Sequence, residues 1–191
     1  MKPPVYLYDL ETTGLDVMRC EITDRHFWDP WNDHVASSGL VKIQGTIPPE
    51  VVSITGITDD MAASGDDLET FLGDMRALFD KHKGQTVTFV AQNGDRFDHL
   101  ILRRLDVWEM GPCRLLDSRW FLGAFQKGPS RSLGGLYRDI CGVEAPVVHR
   151  ARADVIMMAE MITKAAAEDS GRGRALRELL WGRGGEEYRF M

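Results

Sequence analysis

A chain of 191 residues with 43% hydrophobic composition has the size and make-up of one globular domain, and no apolar run approaches the roughly 18 residues a membrane helix needs. Its net charge of −6 argues against a protein that holds nucleic acid mainly by neutralising many phosphates. Its three cysteines, Cys20, Cys113 and Cys141, stand too far apart to indicate a zinc knuckle or a disulfide framework.

The first residues lack the basic start and apolar stretch of a signal peptide, so the expectation is a cytoplasmic protein, or a nuclear one in a eukaryotic host, with reduced thiols and no membrane contact. Charge is distributed unevenly. Residues 1–95 hold 7 Lys and Arg against 16 Asp and Glu, whereas residues 96–191 hold 16 against 13. The basic second half reads either as solvated faces or as a rim that tracks phosphates near a metal site, and charge alone does not choose between them.

Taken in chain order, residues 3–9 read as a strand, Gly14 as a turn, residues 20–28 as a second strand and residues 28–34 as a loop. A third strand is expected within residues 39–45, ending before Pro48 and Pro49. Over residues 66–83, Leu68, Phe71, Leu72, Met75, Leu78 and Phe79 recur at three- and four-residue steps, with acids at the start and lysines at the end, which is a capped amphipathic helix. Residues 86–93 form a β-branched, apolar strand stopped at Asn93-Gly94, and a helix follows through Leu105. A further strand is expected near "CRLLDS", then helices over residues 132–140 and 151–167 and a short one over 176–181. The segment 168–174, "EDSGRGR", reads as a flexible loop. No repeat or interdomain linker interrupts the chain, so one domain spans 1–191. An early strand meander followed by alternating strands and helices implies an α/β fold, one mixed sheet with helices on its faces.

The opening stretch "YLYDLETTGLD" carries the chemistry. Side chains alternate along a strand, so Asp9 and Glu11 point to one side and Leu10 to the other. Two carboxylates that close repel each other, and a divalent metal would resolve the conflict. An isolated Asp-x-Glu is more often the solvated end of a strand, so further acids must be delivered to the same place. Asp98 follows a strand-turn junction near a helix start, where open α/β sheets place functional groups, although a first-turn acid also simply complements the helix dipole. Asp154 lies beside the apolar stripe of Val155, Met158, Ala159 and Ile162. His149, five positions earlier, reads on its own as an exposed loop histidine.

Together, "DLETTG", "NGDRFD" and "HRARAD" stand in the order of the three motifs of the DEDDh, or DnaQ-like, 3′-to-5′ exonucleases of ribonuclease H-like fold, which the chain resembles over most of its length. Within that family it is most similar to the three-prime repair exonucleases (TREX), through "NGDRFD", "SITGI" at residues 53–57 and "SLGGLY" at residues 132–137. Gln92 stands where that resemblance leads one to expect His, and Phe97 where Tyr is usual; a polyproline insertion and a C-terminal membrane tail are lacking. The resemblance implies a five-stranded mixed sheet and a homodimer paired through an exposed sheet edge. It also implies two Mg²⁺ ions, replaceable by Mn²⁺, with Asp9 bridging them, Glu11 and Asp154 completing one site and Asp98 helping the second, directly or through water. Oxygen ligands suit those ions better than Zn²⁺.

His149 would act as the general base for water. The same resemblance assigns Thr12 and Leu15 to the 3′-terminal nucleotide, Leu15 and Ile54 as wedges against the base, Phe97 to the sugar or base, and Asn93, Arg96 and Ser132 to the backbone. Core packing is the competing expectation for Leu15, Ile54 and Phe97. The expected activity is release of nucleoside 5′-monophosphates from single-stranded or frayed DNA 3′ ends. An RNA-trimming enzyme or a proofreading subunit of the same family, and a catalytically silent nucleic-acid-binding module, are the alternatives.

Overall fold

The apolar run that opens the chain becomes β1 (Val5–Thr12), and it forms the middle of a five-stranded mixed sheet with β2 (Ile22–Asp29), β3 (His34–Leu40), β4 (Val87–Ala91) and β5 (Cys113–Asp117). The computed structural model describes residues 3–146 and 149–182. Residues 1–2, 147–148 and 183–191, which complete the expected domain of 1–191, lie outside the described residues. The strand order is β3-β2-β1-β4-β5. The β1–β2 and β2–β3 pairs are antiparallel, whereas β1–β4 and β4–β5 are parallel. Parallel neighbours need crossovers, and helices supply them: α1 (Pro49–Thr55), α2 (Asp59–Ala63) and α3 (Leu68–Lys81) before β4, and α4 (Asp98–Arg104) before β5. Among the described residues four α-helices follow the sheet, α5 (Ser118–Leu122), α6 (Leu133–Cys141), α7 (Ala151–Ala167) and α8 (Gly171–Trp181).

The strand alternation sorts β1 between two cores. Val5 and Leu7, with Val90 of β4, pack under residues of α5 to α8. Tyr6, Tyr8 and Leu10, with Phe89 and Ala91, pack on α3 and α4. Each fully buried side chain of this size contributes about 1.5–3 kcal/mol, so sheet register and helix placement are fixed together. No helix among the described residues is long and apolar enough to cross a membrane.

Three sequence expectations shift. The third strand is not within residues 39–45 but at His34–Leu40, because the turn after β2 is tighter than the loop read over residues 28–34. The Asp29 carboxylate accepts from the backbone of Trp31 at 3.1 Å and Asn32 at 3.2 Å and from the Asn32 side chain at 2.6 Å. Asp33 takes a left-handed φ of 48°, and the chain returns at once to pair His34 with Asp29. Second, α1 and α2 occupy a stretch given no element by periodicity. They are 7 and 5 residues long and are set by local signals, Pro49 at the first turn and Gly56 at φ 70° closing α1, and the Thr58 hydroxyl capping α2. Third, the segment 168–174 is a short turn running into α8. The Ser170 hydroxyl accepts from the Gly173 backbone at 3.1 Å, so α8 begins at Gly171 and extends well upstream of the helix expected over 176–181.

Candidate metal centre

Beyond Leu7, the face of β1 that packs under α7 continues as Asp9 and Glu11, and Asp154 arrives there from the first turn of α7. Val155, Met158, Ala159 and Ile162 are all buried in the core on that side of the sheet, which fixes the helix and leaves Asp154 beside the strand. One carboxylate oxygen from each of Asp9, Glu11 and Asp154 lies within 4.8 Å of the others. The sequence-expected convergence of these three acids is thus present in the fold.

Asp98 joins from the other flank. It opens α4 just past the carboxyl end of β4, is 3% exposed, and its Oδ1 accepts the Leu10 backbone N–H at 3.2 Å. Its setting depends on Gly94. A methyl group there would fall 2.6 Å from the His99 ring and 3.0 Å from the Ala91 Cβ, so only glycine lets the turn between β4 and α4 close over His99. That ring is itself fixed, with its Nδ1 2.5 Å from the Tyr8 hydroxyl and the His99 carbonyl accepting from the Trp108 indole at 3.0 Å.

Every acid of the set holds its proton more tightly than an ordinary carboxylate. Burial pushes Asp98 up to about 7, and Glu11 adds to the rise against the opposing hydrogen bonds from its own backbone and from Leu10. Burial likewise raises Asp154 to about 7. Glu11 rises to about 7 through burial and then through Asp154 and Asp24, with His149 and Arg150 opposing. Asp9 is raised well above its usual range by burial and by Asp98, Asp154 and Glu11 in turn. Carboxylates crowded in this way need protons or a cation. The donor set is oxygen only, which fits a hard divalent ion such as Mg²⁺ or Mn²⁺.

His149 is exposed immediately before α7, and its charge reaches Glu11. A residue that sequence reasoning missed stands behind it. Asp24 of β2 is directly opposite Glu11 in the register and 4% exposed. Its Oδ2 accepts from Arg150 Nε at 2.8 Å and its Oδ1 from the Arg25 backbone at 3.0 Å. A fifth acid is thus satisfied by an arginine next to His149. The only sequence signal was a charged residue inside a strand-like run, and its partner is 126 residues away.

The substrate residues expected from the resemblance divide into two groups. Glu11, Thr12, Leu15, Ile54 and Phe97 line one cleft of about 480 Å³ that opens from the acids. Leu15 and Ile54 are 88% and 58% exposed, so the alternative of core packing does not apply to them. Phe97 is partly buried and touches the core under α3 and α4, so both expectations meet there. Thr12 donates from its hydroxyl to the Gly14 carbonyl at 2.7 Å, shaping the loop that carries Leu15. Asn93, Arg96 and Ser132 lie outside that cleft. Asn93, at φ 62°, donates its backbone N–H to Asp117 at 3.1 Å, and its buried Oδ1 has no hydrogen-bond partner among the described residues. Ser132 caps α6, accepting from the Gly135 backbone at 3.1 Å, and Arg96 belongs to a second, basic hollow. Gln92, the departure from the expected His, donates to the Arg131 carbonyl at 3.1 Å and bonds the Ser118 hydroxyl, linking β4 to the loops after β5.

The exonuclease family model RNase_T matches residues 7–162. The solved structures most similar in shape include Escherichia coli exonuclease I. A structure of exonuclease I bearing on its processivity has TM-score 0.69 at 17% identity, covering 93% of this chain and 43% of that one. A zinc-bound complex of the Escherichia coli enzyme with single-stranded DNA gives 0.70 at 17%, covering 92% and 43%. The Escherichia coli enzyme with a dA16 oligonucleotide gives 0.71 at 18%, covering 93% and 43%. The chain therefore spans about two fifths of the exonuclease I chains it matches, and the likeness lies in the fold, the mixed sheet flanked by helices. No curated protein matches the chain significantly.

Proposed function

We propose, from the premise that this chain belongs to the RNase_T exonuclease family, that it is a metal-dependent 3′-to-5′ exonuclease of the DEDDh type acting on single-stranded or frayed DNA ends. The observation that carries this reading is the convergence of Asp9, Glu11 and Asp154 within 4.8 Å, with Asp98 buried on the far flank. These four residues would hold divalent cations, Mg²⁺ or Mn²⁺, which when bound would neutralise phosphoryl charge and lower the proton affinity of water. Leu15, Ile54 and Phe97 receive the terminal base in the cleft, where apolar contact tolerates any sequence. His149 takes a proton from the attacking water onto a ring nitrogen. The new bond joins that water's oxygen to phosphorus, and the bond to the 3′-oxygen of the preceding nucleotide breaks. The 3′-oxygen then takes a proton from solvent, releasing a nucleoside 5′-monophosphate.

The segments "NGDRFD", "SITGI" and "SLGGLY" support a place near the three-prime repair exonucleases. With that reading go a DNA substrate, a cytoplasmic or nuclear setting, and one domain that pairs through the open edge of the sheet at β3. The test uses 5′-labelled single-stranded DNA with Mg²⁺, with EDTA, and with Asp154→Asn. A ladder shortening from the 3′ end is expected only with Mg²⁺ and the intact acid. Cleavage that survives EDTA, or that starts at the 5′ end, would refute the reading.

A further inference from the structure

At the same carboxyl edge of the sheet, away from the apolar cleft, Arg96, Arg119, Trp120 and Arg131 line a second hollow of about 120 Å³. They come from three local devices. Arg96 closes the short turn after β4. Arg119 and Trp120 open α5 directly after β5. Arg131 precedes α6, and its carbonyl is held by Gln92. Trp120 is 67% exposed, yet its indole N–H donates to Asp95 at 2.9 Å, so a large aromatic ring is tethered in solvent. An exposed tryptophan held in place and ringed by arginines is an unusual surface for a chain of net charge −6.

Of the three arginines in the hollow, Arg119 is paired with an acid and the other two are not. Asp117 is spent on Arg119, with contacts of 3.3 and 3.0 Å, and on the backbone of Asn93 and Arg119. Asp95 is turned to the Trp120 indole and, at 3.9 Å, to His99. Among the described residues the guanidinium groups of Arg96 and Arg131 meet no acceptor. Arginine forks and an aromatic face are what a single-stranded polynucleotide requires, the first for a phosphate and the second for a base of any identity.

Position adds the direction. Asp117 ends β5 and pairs with Ala91 at the end of β4, which in turn runs parallel to β1. Two strand spacings of about 4.8 Å separate β5 from β1, so the hollow stands on the order of 10 Å along the edge from the acids, about two to three nucleotides of stacked strand at ~3.4 Å each. We propose that this hollow is a second subsite for the substrate strand. Arg131, beside the Arg96 already expected at the backbone, grips a phosphate, and Trp120 stacks a base two to three nucleotides upstream of the 3′ end. The proposal rests on the exonuclease reading for its direction and not for the binding itself.

The test is titration of the full chain, in EDTA, against a 5′-fluorescein-labelled single-stranded oligothymidylate, read by anisotropy over a series of salt concentrations. Trp120→Ala is expected to weaken binding about tenfold. Arg131→Gln is expected to weaken it and to flatten the slope of log affinity against log salt by about 0.7. Lys83→Gln, at the opposite edge of the sheet, serves as the control that leaves affinity unchanged. Affinities within about twofold of wild type in both variants, with the slope intact, would overturn the subsite. A chain that binds through Trp120 and Arg131 but shortens no labelled DNA in Mg²⁺ would keep the subsite and remove the nuclease. Normal shortening with undiminished binding in both variants would do the reverse.

Discussion

Replacing Asp98 by asparagine should make the metal-free protein more stable at pH 8. The folded pKa of Asp98 is raised from 3.8 to about 7, chiefly by burial. Between those values the folded state holds a proton that the unfolded state has released, so the slope of unfolding free energy against pH is negative. Stability is therefore full below the unfolded value, declines as pH rises toward 7, and stays reduced above it. At about 1.4 kcal/mol per tenfold change in proton affinity, the rise corresponds to a ceiling of about 4 kcal/mol. Asp9, Glu11 and Asp154 share that repulsion, and loss of a first-turn charge at α4 gives back about 0.3–1 kcal/mol. A net gain of about 1–2 kcal/mol is the expected result for the variant. Asparagine keeps an oxygen to accept the Leu10 N–H, so geometry is preserved. Urea unfolding in EDTA at pH 8 and pH 5 measures it: a clear gain at pH 8 that shrinks at pH 5, where the wild-type acid is protonated. Adding Mg²⁺ should then stabilise wild type more than the variant. An equal effect at both pH values, or a less stable variant at pH 8, would refute the electrostatic account.

His149→Ala should lower kcat by about a hundredfold to ten-thousandfold while leaving the stabilisation by Mg²⁺ intact; full activity in that variant would dismiss the histidine as base. Gly94→Ala should destabilise the fold by about 1–3 kcal/mol, because the added methyl falls 2.6 Å from the His99 ring and the turn carrying Asp98 must shift. Urea midpoints measure the loss, and an unchanged midpoint would show that the turn opens freely.

What could be read from sequence was what long-range burial enforces periodically. The stripe of α7 gave its limits, Ala151–Ala167, because seventeen residues of consistent spacing outvote any local signal. The alternation of β1 put Asp9 and Glu11 on one face for the same reason. What could not be read depended on register. Sequence order does not say that Asp24 faces Glu11 across β1 and β2, nor that Arg150 reaches Asp24. Arg25 is a similar case, a charge within the strand read over residues 20–28. It is 1% exposed, meets Asp66 at 2.7 Å and Ser37 at 2.8 Å, and donates to the Gly39 and Leu40 carbonyls at 3.0 Å. A buried guanidinium with every nitrogen engaged is tolerated only by partners from several elements. The short helices α1 and α2 escaped because one or two turns carry too few positions for a period.

The same alternation that builds the core delivers the chemistry, which explains how a strand tolerates acids at its centre. On one face of β1 the order is Val5, Leu7, Asp9, Glu11, and α7 covers that face with Met158, Val155 and then Asp154. Apolar cover gives way to carboxylates on strand and helix together, toward the amino end of α7. There the free backbone N–H groups and the Arg150 guanidinium supply positive potential, and Arg150 and His149 both ease the ionisation of Glu11. The helix cannot move along the strand to separate the acids without withdrawing Val155, Met158 and Ile162 from the core. Apolar burial at one end therefore imposes carboxylate crowding at the other, and a divalent cation relieves that crowding without any movement of the sheet.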